Sequence, residues 1–413
     1  MLNPTLLREG FVRKQAEKCL KPLFRERFFI GNFMNERSTV PTFASVEEVR
    51  DALGRRERFE PVDLYYRDGT KKLAERESEY AQFVGVCDGK LLLFNSGMST
   101  IREVVELVYP TAGDYIACSQ ELYEQTRTLF FEDLPQRGIK VVGFDSGSVN
   151  DIARVVESHK PKLVFAETVA NSCDMAVLDI ECLISLLRQT ETLLVLDNTL
   201  PTPSVLPLGR YLGRDDRILV VESGTKAYAL NSDLLGIAYS QNANLISLLR
   251  ARRRTNGSIA SASTVTAIDD LTPQSKEEFD IRNRKIVANT LKLARASSEA
   301  LRGSERFVVV HPNLETHANF EYCSQKFPEG CASAFFISCA GEEDAQFALA
   351  NVLWQSEIVR KYCDLGQSFG FERTRIWPYT GFPTVRISGG EETAEQIEEL
   401  GEELEGILSS LRV

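Results

Sequence analysis

Seven short apolar segments, spaced by amphipathic stretches, occupy the chain between about residue 85 and residue 240, and this alternation limits the fold more than any other feature. The segments read KLLLFNSG, GDYIACSQ, IKVVGFDS, PKLVFAET, TLLVLDNT, RILVVESG and LLGIAYS. Helical patterns such as STIREVVELVYP, VNDIARVVESH and DIECLISLLRQ separate them. A strand that feeds a helix and then another strand returns by a right-handed crossover. The pattern therefore predicts an α/β fold with a mostly parallel sheet covered on both faces. Ligands of such sheets bind beyond the carboxyl ends of the strands. The polar residues that follow each apolar run are where the chemistry is to be sought.

A chain of 413 residues exceeds one ordinary core and predicts two domains. Residues 1–60 read as a charged N-terminal arm with short helical patterns such as SVEEVRDALGRR, and residues 61–255 as the large domain. Residues 256–413 read as a linking helix and a smaller α+β C-terminal domain, with a long helical region from Asn242 to Leu301. That domain holds FVVVHPN, SAFFISCAG, a helix around DAQFALANVLWQSE, PTVRISGG and a final acidic helix.

Composition excludes several function classes. The formal net charge is −11, the wrong sign for a nucleic-acid binder. No apolar run is long enough to span a bilayer, and the first residues lack the uninterrupted apolar segment of a signal peptide. A cytoplasmic enzyme is the expectation. Nine scattered cysteines form no C-x-x-C pair, and only His159, His311 and His317 are present, so no metal site is expected. The cysteines read as reduced, buried small apolar residues.

Three strand ends carry the functional signal. Asp197 closes TLLVLDNT, either as a loop or capping residue or as a carboxylate paired with a buried cation on a ligand. Lys226 follows RILVVESGT, either as a loop charge or as a desolvated amine of lowered pKa suited to capturing an aldehyde. Ser96-Gly97 joins a strand to a helix, where free N–H groups make a cradle for a phosphate. No G-x-G-x-x-G follows any of these strands, which disfavours a nicotinamide cofactor. A lysine and an aspartate one strand apart, with an anion cradle nearby, are what pyridoxal 5'-phosphate (PLP) requires.

The segments NSGM, ELYEQT, ETVANS, DNT and SGTK occur in the order found in the cystathionine γ-synthase/γ-lyase (Cys/Met metabolism) family. The chain from roughly Tyr65 onward resembles that family of fold-type-I PLP-dependent enzymes. The resemblance implies PLP as cofactor and a fold-type-I large domain with a smaller C-terminal domain. By position, Ser96, Gly97 and Met98 match the phosphate-binding turn, and Ser223 and Thr225 match further phosphate ligands. Tyr123 matches the tyrosine that stacks on the ring and assists proton transfer. Asn171, four residues after Glu167, matches the asparagine near the ring hydroxyl. Asp197 matches the partner of the pyridine nitrogen, Thr199 would pack by the ring, and Lys226 matches the lysine that carries the cofactor. Tyr65 and Arg67 resemble the family's Y-x-R, which implies a homodimer or homotetramer in which these residues reach the neighbouring active site. Ser368 in SFGFE and Arg386 in TVRISGGEE match substrate-binding positions, with Arg386 on the α-carboxylate.

The sequence departs from the family on the substrate side. Leu230 and Asn231 stand where the family has Gly-His, Glu124 and Gln125 where it has Gly-Gly, Ser172 where it has Pro, and Phe371 where it has Gly. The resemblance implies elimination or replacement at the γ-carbon of a γ-substituted L-amino acid, in specialised biosynthesis rather than housekeeping methionine metabolism. Its alternative is β-elimination or another PLP-dependent lyase or transferase reaction. A reading from a different class is a non-catalytic homologue that binds PLP or a partner.

Overall fold

The computed structural model describes residues 67, 69–188, 190–271, 275–340, 344–379 and 383–411. The chain divides into two compact units, residues 1–74 and residues 75–413. The arm expected over residues 1–60, its helical pattern and Tyr65 lie outside the described residues.

All seven apolar runs form strands of one sheet: β1 (Leu91–Phe94), β2 (Tyr115–Ser119), β3 (Lys140–Phe144), β4 (Leu163–Glu167), β5 (Leu193–Asp197), β6 (Ile218–Ser223) and β7 (Gly236–Tyr239). Their order is β1-β7-β6-β5-β4-β2-β3. β2, β3, β4, β5 and β6 pair in parallel, joined by crossovers that include helices Val149–His159 and Ile180–Leu187. Every residue of β4 is buried, as is all of β5 except the half-buried Asp197, so apolar side chains on both faces are what this position selects. β7 pairs antiparallel with both β6 and β1. The segment between β6 and β7 contains turns and no crossover helix, so the chain reverses rather than returning in parallel. The fold is the expected α/β class with a mostly parallel main sheet.

The helical stretch expected from Asn242 to Leu301 is three helices. They are Ala243–Asn256, Ala262–Leu271 and Lys276–Ala300, and the first ends at Gly257 in the left-handed region at φ 67°. A second sheet contains β8 (Phe307–Val310), β9 (Phe335–Cys339), β10 (Cys363–Leu365), β11 (Thr374–Pro378) and β12 (Thr384–Ser388) in the order β10-β11-β12-β9-β8. β10 and β11 were not legible as apolar runs. β10 has three residues, and TRIWP alternates Ile376 toward the core with polar or aromatic neighbours. Each sheet has its own buried cluster. That of the smaller sheet joins Leu293 of helix Lys276–Ala300 to Leu400, Leu404 and Leu408 of helix Ala394–Ser410.

The cysteine expectation needs correction. Cys118, Cys323, Cys331, Cys339 and Cys363 are buried, but Cys87, Cys173 and Cys182 are exposed. Cys87 and Cys173 lie in turns and Cys182 sits on the first turn of a surface helix, where no core reaches them. All eight described cysteines are free thiols. No described helix is long and apolar enough to cross a membrane.

β1 is an edge strand, and the outer edge of a sheet leaves backbone groups to satisfy. Here Glu77 of helix Lys71–Val84 accepts the Leu93 amide at 3.0 Å, and Arg253 donates to the Leu93 carbonyl at 2.7 Å. The two side chains also form an ion pair, with both residues buried. Glu77→Ala would strand the arginine and the Leu93 N–H together. We expect a loss of about 3–5 kcal/mol of unfolding free energy in urea, the usual penalty for removing one partner of a buried pair.

Candidate active site

The parallel register sets Glu167 beside Asp197 and Asp197 beside Val221, so the ends of β4, β5 and β6 open onto one cavity of about 210 Å³. Asp197 Oδ1 accepts from the Thr199 amide at 2.9 Å and the Thr199 hydroxyl at 2.6 Å. That same hydroxyl accepts the Ser223 amide at 2.8 Å, tying the ends of β5 and β6 together. Burial raises the Asp197 carboxyl to about 6, against the pull of both Thr199 donors. Burial and then the charge of Asp197 raise Glu167 to about 8, although its oxygens accept from the amides of Asn171 at 2.8 Å and Tyr123 at 2.7 Å. Burial and mutual repulsion thus make the adjacent pair resist losing both protons near neutral pH.

Lys226 follows β6 and is largely buried, its Nζ 2.6 Å from the Ser368 hydroxyl and 5.4 Å from the Phe369 ring centre. Burial, then the charges of Arg386 and Arg375, lower its amine from 10.5 to about 8. Over the same Phe369 ring, Arg386 of β12 is only 3% exposed and forms no ion pair among the described residues. It donates to the Tyr379 hydroxyl at 2.7 Å and to the carbonyls of Gln367 and Ser368, stacked between the rings of Phe369 and Tyr379. A buried guanidinium without an acid partner is an incomplete pair that a ligand carboxylate would complete. Burial keeps the Tyr123 phenol protonated by raising its pKa.

Another wall is the start of helix Gly97–Val105. Ser96 caps it, its hydroxyl accepting the Ser99 amide at 3.1 Å. A Cβ on Gly97 would come 3.2 Å from the Ser223 Cβ, tighter than ordinary side-chain packing, so glycine lets the helix N-terminus approach β6. The Thr225 hydroxyl accepts the Leu235 amide at 2.8 Å and donates to the Leu235 carbonyl at 3.3 Å, which commits it to the residue before β7. Met98 packs on the large core, and its sulfur accepts from Thr126 at 3.7 Å.

Of the residues nominated from the sequence, all line this cavity except Ser368, Tyr65 and Arg67. Ser368 touches Lys226 instead. Tyr65 is outside the described residues, and Arg67 is an exposed residue of the unit formed by residues 1–74. Three further residues escaped sequence reasoning. Glu222 is buried on β6, where Tyr228, Tyr239 and Asn198 donate to it at 3.1, 2.8 and 3.4 Å, and burial raises its carboxyl to about 8. Its signal was a glutamate inside an apolar strand. Tyr379 carries no sequence signal, and Asn231 stood out only as a departure from the family pattern.

These residues suit PLP. A buried amine of lowered pKa, a carboxylate at a strand end and a helix N-terminus surround one cavity. The side-chain oxygen of Asn171, which also lines it, is buried without a hydrogen-bond partner among the described residues.

Comparison with known proteins agrees. The model of the family described as Cys/Met metabolism PLP-dependent enzyme matches residues 39–361. The chain is 27% identical over 287 residues to an L-methionine gamma-lyase of Fusobacterium nucleatum subsp. polymorphum, spanning 68% of this chain and 67% of that protein. It is 34% identical over 144 residues to a cystathionine gamma-synthase/O-acetylhomoserine (thiol)-lyase of Bacillus subtilis (strain 168), spanning 35% of this chain and 36% of the relative. Its fold is similar to that of a cystathionine gamma synthase from Xanthomonas oryzae pv. oryzae solved with cystathionine, at a TM-score of 0.69 and 20% identity over 90% of this chain and 100% of that one. A match this long, around strand ends that present the amine, the carboxylate and the anion cradle together, shows that the chain belongs to the Cys/Met metabolism PLP-dependent enzyme family.

Proposed function

We propose that the chain eliminates or replaces a substituent at the γ-carbon of an L-amino acid, with PLP carried on Lys226. The observation behind this reading is the convergence of Lys226, Asp197, Tyr123 and Arg386, which forms no ion pair among the described residues, on one cavity. Relatives described as gamma-lyases or gamma-synthases support the γ-carbon. When bound, PLP supplies an electron sink for the charge left on substrate carbon as protons depart.

The residues divide the remaining work. Asp197 would hold a proton on the pyridine nitrogen, and the cation there would offset the repulsion between Asp197 and the adjacent Glu167. Ser96, Gly97 and Ser223 lie where backbone N–H groups and a hydroxyl would bind the phosphate. Arg386 orients the substrate through its α-carboxylate, fixed by Tyr379 and the carbonyls behind it. Lys226, with an amine of pKa about 8, moves a proton off Cα and then takes one from Cβ, whose electron pair expels the γ-substituent as the protonated Tyr123 donates to it. Tyr65 and Arg67 would complete a neighbouring site in a dimer or tetramer.

Two measurements test the cofactor role. Lys226→Ala is expected to abolish both the borohydride-fixable chromophore and turnover; a variant that still turns over removes Lys226 from the mechanism. Only the neutral amine attacks an aldehyde, and burial has lowered its pKa. Covalent uptake of PLP by the full-length protein should therefore rise with pH through about 8 and level off above it. Product analysis tests the reaction. A γ-substituted substrate eliminated at Cγ releases 2-oxobutanoate and ammonia. Pyruvate from cystathionine would favour β-elimination, the activity named for the cystathionine beta-lyase relatives. PLP binding with no product from either substrate would favour the non-catalytic homologue.

A further inference from the structure

The turn after Lys226 contains two consecutive non-glycine residues in the left-handed region, Leu230 at φ 48° and Asn231 at φ 64°. Asparagine tolerates that conformation and leucine does not, so contacts elsewhere must hold the turn in place. The amides of Leu230 and Asn231 donate to the carbonyls of Lys226 and Thr225 at 3.0 and 2.8 Å, and the side chain of Asn231 adds two bonds to another part of the chain. Its Nδ2 donates to the Phe369 carbonyl at 3.2 Å, and its Oδ1 accepts from the Ser368 hydroxyl. A carbonyl only accepts, so the amide cannot be turned the other way round. The single hydrogen of the Ser368 hydroxyl is thereby committed to Asn231, and its remaining lone pairs face the Lys226 amine, 2.6 Å away.

We propose that Asn231 is a positioning residue that fixes the direction of this hydrogen-bond chain. The Lys226 amine must then present an N–H to Ser368 and keep its lone pair for the cofactor aldehyde and for the substrate proton. This rests on the reading of Lys226 as the cofactor lysine. A Ser368 hydroxyl free to rotate would donate into the lone pair of the neutral amine and mask it. The chain also joins two parts of the fold, because Asn231 follows β6 whereas Ser368 and Phe369 precede β11. Other charges around the amine come from both sides. Arg386 and Arg375 belong to the smaller sheet, while Tyr123, Glu167, Asp197 and Glu222 line the cavity from the larger one.

The test measures the rate at which full-length protein, freed of bound aldehyde, takes up PLP on Lys226 in borohydride-fixable form, across pH. Asn231→Gly and Asn231→Asp are suitable variants because both residues accommodate φ 64°. Asn231→Gly frees the Ser368 hydroxyl and should lower the alkaline plateau about ten-fold. Asn231→Asp sets a carboxylate beside Ser368 and should raise the midpoint of the profile by about one pH unit. A residue that only shaped the turn would change the melting temperature and leave plateau and midpoint where they were. Wild-type plateau and midpoint in both variants would overturn the role of Asn231 and leave Lys226 as the cofactor lysine. Wild-type protein that fixes no PLP on Lys226 would overturn the cofactor reading and this proposal with it.

Discussion

Parallel pairing of β4, β5 and β6 aligns three strand ends at one level, so that side chains remote in sequence meet at the mouth of the sheet. The register makes Glu167 and Asp197 neighbours in a place where neither is readily ionised while the other is charged. Local donors offset that cost on both: Thr199 donates twice to Asp197, and the amides of Tyr123 and Asn171 donate to Glu167.

Charge is segregated across the cavity. The larger sheet supplies the carboxylates Glu167, Asp197 and Glu222, while Arg386 and Arg375 approach Lys226 from the smaller sheet. Burial first, and like charges after it, suppress the protonated amine of Lys226 on one side and raise the carboxyl of Glu167 on the other. A ligand with a cationic ring nitrogen and an anionic carboxylate would relieve both excesses at once. That separation is the physical reason the pocket suits an amino acid held on an aromatic cofactor.

Much of the architecture was legible in advance. Runs such as TLLVLDNT and RILVVESG are apolar enough to be strands buried on both faces, and each ends in a residue that must meet something polar. The strand β11 was hidden by Arg375 and Pro378, and the long helical stretch broke at Gly257. Exposed Cys173 and Cys182 departed from the buried reading because residue type alone does not say whether a turn or helix face reaches the core. Ser368 and Arg386 could be nominated only through family resemblance, since they lie well over a hundred residues from Lys226 along the chain and no local pattern links them. Tyr379 left no trace of that kind, and Asn231 showed only as a departure from the family pattern.

By itself, the sequence determined the alternating pattern, the order of the strand ends and the residue types placed there, because these follow from local periodicity and from the cost of burying polar groups. The tertiary structure alone decided which partners those groups acquired. It set Glu167 against Asp197, left Arg386 without an acid partner among the described residues and turned Ser368 toward Lys226 by way of Asn231. Protonation and hydrogen-bond direction depend on the distance between groups far apart in sequence and on the water excluded around them. Only the packed fold defines either one.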